Sequence, residues 1–135
     1  MSASLPLGMP KLRVLVVDDF DGHASSTALL LSAFGYEAQY ALDVHAALDK
    51  AKDFAPDVVL LDLALPRMSG YEVADRLANG WTVRPPVIVA VTGWSRDEDR
   101  RKSLAAGFHL HLAKPVEPHI LFGILERIRN GVGTR

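Results

Sequence analysis

The segment at residues 58–63 constrains the fold more than any other part of this chain. It has the sequence VVLLDL, a run of branched apolar residues long enough for one β-strand buried on both faces. Asp62 stands near the end of that run. Burying a carboxylate without partners costs several kcal/mol. We therefore expect Asp62 to lie where the strand leaves the sheet, facing water or a compensating cation, and treat it as a candidate site residue.

Similar apolar runs recur along the chain and alternate with segments of helical spacing. Capping signals mark the helix ends: Asp21 is placed to cap the first helix and Asp43 the second, and Gly35 is placed to end the first. The predicted strands cover residues 12–17, 36–40, 58–63, 87–91 and 108–112, and the predicted helices cover 24–34, 44–54, 71–77, 95–107 and 118–128. Because parallel strands need helical crossovers, this alternation predicts a doubly wound α/β fold with a five-stranded parallel sheet and five helices.

Length and composition limit the classes of function. With 135 residues we expect one domain at 11–129, between a disordered leader at 1–10 and a tail at 130–135. Fifteen basic and sixteen acidic residues give a net charge of -1, which excludes a strong field for binding nucleic acid or an anionic membrane. The apolar runs are too short to span a bilayer, and the chain has no cysteine, which fits a reducing compartment. We expect a cytoplasmic protein.

Polar residues follow four of the five predicted strands. Asp18 and Asp19 follow the first, Asp62 the third, Thr92 the fourth and Lys114 the fifth. Ligands of such sheets bind beyond the carboxyl ends of the strands, so these side chains should converge at one edge. Three neighbouring carboxylates would repel one another unless a divalent cation lay between them, and oxygen ligands favour Mg²⁺. A lysine and a hydroxyl beside that ion would suit a phosphoryl group.

From about residue 11 to residue 128, the chain closely resembles the receiver domain of two-component response regulators. Taken singly, each motif residue would be explained as a cap, a turn or a surface residue, but their conjunction in the family's order favours a site. The matching motifs are Asp18-Asp19, Asp62 with Leu65-Pro66 and Gly70, Thr92-Gly93, and Lys114-Pro115. The resemblance implies the flavodoxin-like strand order 2-1-3-4-5 and a cis peptide between Lys114 and Pro115.

The resemblance also implies roles for the site residues. Asp62 would attack the phosphohistidine of a histidine kinase or histidine phosphotransferase, and the aspartyl phosphate would signal through a conformational change. Thr92 and Lys114 would contact the phosphoryl group. The implied magnesium ligands are Asp18, Asp19, Asp62 and the backbone carbonyl of Ala64. Such a domain is a signalling module, self-phosphorylating and autodephosphorylating, rather than an enzyme that turns over outside substrates. A downstream protein would bind the face formed by the fourth helix, fifth strand and fifth helix, and we expect a monomer or weak dimer.

Three positions depart from the family's pattern. His111 occupies the place of the usual switch aromatic, three residues before Lys114. Ala64, two residues after Asp62, has no side chain that can reach a phosphoryl group or position water, and Trp94, two residues after Thr92, is bulky. We predict that Ala64 and Trp94 set the lifetime of the aspartyl phosphate.

Two other functions are compatible with parts of the sequence. Asp19 and Asp21 before Gly22 also match the motif of haloacid-dehalogenase-like phosphatases, with Asp19 as nucleophile. That interpretation lacks a later acidic pair for the metal and leaves Asp62 unexplained. A flavodoxin-like cofactor binder is the second alternative, but the loop after the first strand is rich in aspartate where a phosphate anion would need amides and hydroxyls.

Overall fold

The computed structural model describes residues 11–62, 76, 85–92 and 109–133, which form a parallel sheet with helices on both faces. The elements are β1 (Arg13–Val17), α1 (Asp21–Ala33), β2 (Glu37–Ala41), α2 (Val44–Phe54), β3 (Val58–Asp62), β4 (Val87–Thr92), β5 (Leu110–Ala113) and α3 (Pro118–Gly133). The strand order β2-β1-β3-β4-β5 confirms the expected order. The predicted helices at 71–77 and 95–107 lie outside the described residues, apart from residue 76. None of the described helices combines the length and apolar character needed to cross a lipid bilayer.

The central position of β3 explains its continuous apolar sequence. All five of its residues are buried, and strands β1 and β4 flank it on either side. In the parallel register Leu60 lies between Val16 of β1 and Val89 of β4. Because helices cover both faces of a parallel sheet, an interior strand needs apolar residues at every position rather than at alternate ones.

Alternating side chains divide the core into two layers. Leu15 and Val17 of β1 pack with β3, β4 and helix α2 on one face of the sheet. Val14 and Val16 pack on the other face, with Leu31 of α1 and with residues of α3. Successive side chains of a strand point to opposite faces, so β1 contributes to both layers.

Local signals mark the start of α2 and the end of α1. The side chain of Asp43 accepts a hydrogen bond from the backbone N–H of Ala46 at 2.8 Å, as a cap of α2. Gly35 follows α1 with a φ of 94°, a conformation that glycine adopts without strain. The predicted capping of α1 by Asp21 is wrong, because Asp21 is the first helical residue and Phe20 precedes it as the N-cap.

The parallel arrangement brings four chain segments to one edge of the sheet. β1 ends immediately before Asp18, β3 ends at Asp62, β4 ends at Thr92, and β5 ends immediately before Lys114. The order of the strands reverses between β1 and β3, since the chain runs outward to β2 on one side and to β4 on the other. A crevice at such a reversal is the usual ligand site of an open α/β sheet.

Candidate functional site

Three carboxylates meet at the carboxyl edge of the sheet. Each of Asp18, Asp19 and Asp62 offers an oxygen that lies within 4.8 Å of the oxygens from the other two. β1 and β3 pair directly, with Val17 beside Leu61, so the acids that follow them become neighbours. Asp62 is only 4% exposed, whereas Asp19 is exposed. The sheet therefore holds one buried carboxylate beneath two that are more accessible.

Lys114 reaches the same cluster from the far side of β4. Its Nζ donates a hydrogen bond to Oδ2 of Asp62 at 2.8 Å, across 52 positions of sequence. The peptide bond between Lys114 and Pro115 is cis, as expected. This ion pair provides the compensating cation that a buried aspartate at the end of β3 requires.

The charges of these four groups do not balance. Three carboxylates and one ammonium sum to a formal charge of -2, and carboxylates at this separation repel one another strongly where water is partly excluded. Every donor atom of the three acids is an oxygen, the ligand type that Mg²⁺ prefers. The donor set and its residual charge therefore fit a hard divalent cation.

Backbone contacts fix the position of Asp18. Its Oδ1 accepts a hydrogen bond from the N–H of Phe20 at 3.0 Å, and its own N–H donates to the carbonyl of Ala41 at 3.1 Å. Its second oxygen, Oδ2, faces Nδ1 of His23 at 3.8 Å. The sequence interpretation did not include His23 in this site. Its position in the first turn of the helix that leaves the site is the signal that places it there.

A cavity of about 120 Å³ lies beneath the acids, between the sheet and helices α1 and α3. Its polar lining residues are Asp18, Asp62 and Thr27, and apolar side chains such as Leu60, Val91 and Leu112 form most of the remaining wall. An apolar wall lowers the local dielectric constant, which strengthens the interaction between Asp62 and any nearby cation.

Comparison with known proteins identifies the family. Residues 14–126 match the response regulator receiver domain. The chain belongs to the response regulator receiver domain family. Such receiver domains are signalling domains of two-component systems.

Relatives and solved structures agree with this membership. The receiver domain is 32% identical over 108 residues to the polar-differentiation response regulator DivK of Brucella anthropi, which covers 80% of this chain and 87% of DivK. It is 34% identical over 110 residues to the response regulator PleD of Caulobacter vibrioides, which covers 82% of this chain but only 24% of PleD. A CheY-like receiver domain protein from Methanospirillum hungatei is 30% identical, with a TM-score of 0.80 over 93% of this chain and all of that structure (100%).

The structure places some of the other predicted residues of the receiver domain. Thr92 is the last residue of β4, beside Ala113 of β5. His111 is half-buried in β5, beside Ala90 of β4. Ala64 and Trp94 lie outside the described residues.

The family match separates the three interpretations of the sequence. It supports the receiver domain and gives no support to the phosphatase or flavodoxin-like alternatives. The geometry agrees with this distinction, because Asp62 is the buried acid that pairs with Lys114, whereas Asp19, the nucleophile of the phosphatase alternative, is exposed.

Proposed function

We propose that this domain receives a phosphoryl group on Asp62 from the phosphohistidine of a histidine kinase or histidine phosphotransferase. The observation that carries the proposal is the environment of the Asp62 carboxylate. It is 4% exposed, lies 2.8 Å from the ammonium of Lys114, and has two further carboxylates within 4.8 Å. Membership of the receiver family supports the same role.

The reaction is a displacement at phosphorus. A carboxylate oxygen of Asp62 forms a bond to phosphorus while the bond between phosphorus and the donor imidazole nitrogen breaks, and its electron pair stays on that nitrogen. The product on this chain is a mixed anhydride, an aspartyl phosphate. Lys114 holds the carboxylate in place through Oδ2 before the reaction, and its charge is available to the incoming phosphoryl oxygens.

Asp18, Asp19, Asp62 and the backbone carbonyl of Ala64 would hold Mg²⁺ at this site. When bound, the ion supplies positive charge that offsets the acids and the phosphoryl oxygens. The side chain of Asp18 is held in position for this role, because its Oδ1 accepts a hydrogen bond from the N–H of Phe20. Its other oxygen, Oδ2, lies 3.8 Å from Nδ1 of His23. The hydroxyl of Thr92 would donate a hydrogen bond to a phosphoryl oxygen.

The signal would leave the site through β4 and β5, the two strands on one side of β3. Thr92 ends β4, and His111 lies half-buried in the neighbouring strand β5, three residues before Lys114. We infer that His111 replaces the usual aromatic switch residue. A downstream protein would then recognise β5 and α3 together with the predicted helix at 95–107.

Phosphorylation by acetyl phosphate tests this function directly. With Mg²⁺ present, the wild-type protein should gain the mass of one phosphoryl group, which hydroxylamine should remove because the linkage is an acyl phosphate. Asp62→Asn should abolish the gain, and EDTA should prevent it in the wild type. The matched control is Asp49→Asn, which removes the same charge from an exposed position on α2 and should leave labelling unchanged.

The outcome also separates the phosphatase alternative. If Asp62→Asn is still labelled and Asp19→Asn is not, the acceptor is Asp19 and the proposal fails. Steady hydrolysis of p-nitrophenyl phosphate by the wild type, lost in Asp19→Asn, would lead to the same conclusion.

A further inference from the structure

Strand β2 forms one edge of the sheet. β1 pairs with its inner side, and among the residues that the structure describes no strand pairs with its outer side. The backbone N–H of Glu37 points inward, because it donates to the carbonyl of Leu12. Alternate residues of a parallel strand direct their backbone groups to opposite sides, so those of Ala38 and Tyr40 point outward.

Lys50 of α2 reaches around this edge. Its Nζ donates a hydrogen bond to the carbonyl of Tyr40, one of the outward backbone groups. The same ammonium lies 5.2 Å from the centroid of the Tyr40 ring. Helix α2 packs on one face of the sheet, with Leu15 and Val17, whereas Tyr40 packs on the other face, in the layer of α1 and α3. The side chain of Lys50 therefore crosses the outer edge of β2 and occupies it.

Without this contact, β2 is suited to pair with the same strand of a second copy. Two identical edges that are related by a twofold axis pair in antiparallel fashion. In the register centred on Gln39, Ala38 faces Tyr40 of the second copy, and half of the backbone hydrogen bonds between the strands end at a Tyr40 carbonyl. Glu37 then faces Ala41, and Gln39 faces its own equivalent. No like charges oppose each other along the strand, so its sequence does not prevent this pairing.

We propose that Lys50 is an intramolecular cap of the β2 edge, which keeps this strand from pairing with β2 of a second copy. Its ammonium occupies the Tyr40 carbonyl that the second strand would need, and it places a positive charge where the two strands would meet. An unpaired strand edge is a template for association, and lysine is one of the residues that protect such edges. The cap is separate from the acid cluster, so it does not depend on the proposed function.

Sedimentation equilibrium of the full chain tests the proposal. Lys50→Met keeps the length of the side chain but removes its charge and its donors. The Kd for dimerisation should fall at least about tenfold, because the Tyr40 carbonyls of both copies become available to the opposite strand. Lys50→Gln removes the same charge with a polar side chain and should show the same change. Lys52→Met is the matched control, because it removes an exposed lysine from the same helix, and it should dimerise no more than the wild type.

Substitutions at position 39 show whether the dimer forms through β2. This chain has no cysteine, so Gln39→Cys introduces a single thiol. In the proposed pair this position faces itself, and opposing Cα atoms there are about 4.5 Å apart, which is close enough for a disulfide. Oxidation with diamide should link two chains faster in Gln39→Cys with Lys50→Met than in Gln39→Cys alone. Gln39→Glu combined with Lys50→Met should remove the dimer, because two carboxylates would then oppose each other.

Several results would overturn the capping role of Lys50. One is an unchanged Kd for dimerisation in both Lys50→Met and Lys50→Gln. Another is a Lys50→Met dimer that Gln39→Glu leaves intact, because association would then take place at a different surface. Dimerisation of Lys52→Met as tight as that of Lys50→Met would show that the loss of any lysine from α2 has this effect, and the specific role of Lys50 would be excluded.

Discussion

The charge imbalance at the acid cluster makes Asp18→Asn a stabilising substitution in the absence of metal. Asparagine keeps the Oδ1 that accepts the hydrogen bond from Phe20, and it removes one of the three negative charges. The substitution therefore changes the electrostatics of the site with little change in its shape. We expect the free energy of unfolding in EDTA to rise.

The structure sets the size of this effect. Asp18 and Asp62 offer oxygens no more than 4.8 Å apart, and their side chains are only 15% and 5% exposed. Two unit charges at that distance repel by about 3 kcal/mol at an effective dielectric constant of about 20. Screening by salt and the partial exposure of Asp18 reduce the expected gain to about 1–2 kcal/mol.

Magnesium should reverse the order of stability. At a Mg²⁺ concentration of about 100 times its Kd, a protein that binds the ion only when folded gains about 2.7 kcal/mol. The wild type should show this gain and Asp18→Asn should show little of it, so the wild type becomes the more stable protein.

Urea denaturation at about pH 8, with EDTA and then with increasing Mg²⁺, measures both effects. Asp49→Asn is the charge-matched control and should follow the wild type throughout. The reasoning is refuted if Asp18→Asn in EDTA is no more stable than Asp49→Asn. It is also refuted if Mg²⁺ stabilises Asp18→Asn as much as the wild type.

Three further predictions concern other parts of the chain. Gly123 is an exposed glycine in α3, and nothing lies within 4 Å of the place that an added methyl group would take. Gly123→Ala should therefore raise the free energy of unfolding, measured in urea, by about 0.5–1 kcal/mol. A lower free energy of unfolding would contradict this. Burial and the hydrogen bond that Tyr36 donates to Glu126 raise the pKa of Tyr36 above its ordinary value of 10.0, so that stability is present below pH 10 and lost as pH rises further. Tyr36→Phe should therefore lower the free energy of unfolding at neutral pH by about 1 kcal/mol. Between about pH 9 and 11 the variant should lose less of its free energy of unfolding than the wild type, as measured by urea denaturation at each pH. Ala64→Asn and Trp94→Ala should each change the rate at which phosphoprotein decays, followed by intact mass; unchanged rates in both would show that neither position sets the lifetime.

Patterns within single segments were enough to predict much of the fold. The apolar run of β3 predicted a strand buried on both faces, and the structure buries all five of its residues. Asp43 and Gly35 predicted helix ends because a cap is decided by the few residues next to it. The same local logic failed at Asp21, where the helix begins one residue earlier than a cap at that position requires. The side chain of Asp18 instead accepts the N–H of Phe20, two residues later, and the helix begins directly after that bond.

The composition of the candidate site was also predictable, but its geometry was not. Acids after two strands and a lysine after a third indicated convergence, because parallel strands end at one edge. The 2.8 Å bond from Lys114 to Asp62 depends on strand β4 lying between β3 and β5, a fact of pairing that no single segment contains. The approach of His23 to Asp18 depends on the direction in which α1 leaves the sheet.

By itself, the sequence determined which of the described segments are strands, the cap of α2 at Asp43 and which residue types gather at the sheet edge. These properties follow from side-chain periodicity and from hydrogen bonds within one turn. Only the tertiary structure decided which polar and charged groups touch, such as the Tyr36 hydroxyl with Glu126, 90 positions apart, or Lys114 with Asp62. Contacts of this kind arise when separate elements pack on a shared core, and the distances between their side chains follow from the packing rather than from any local pattern.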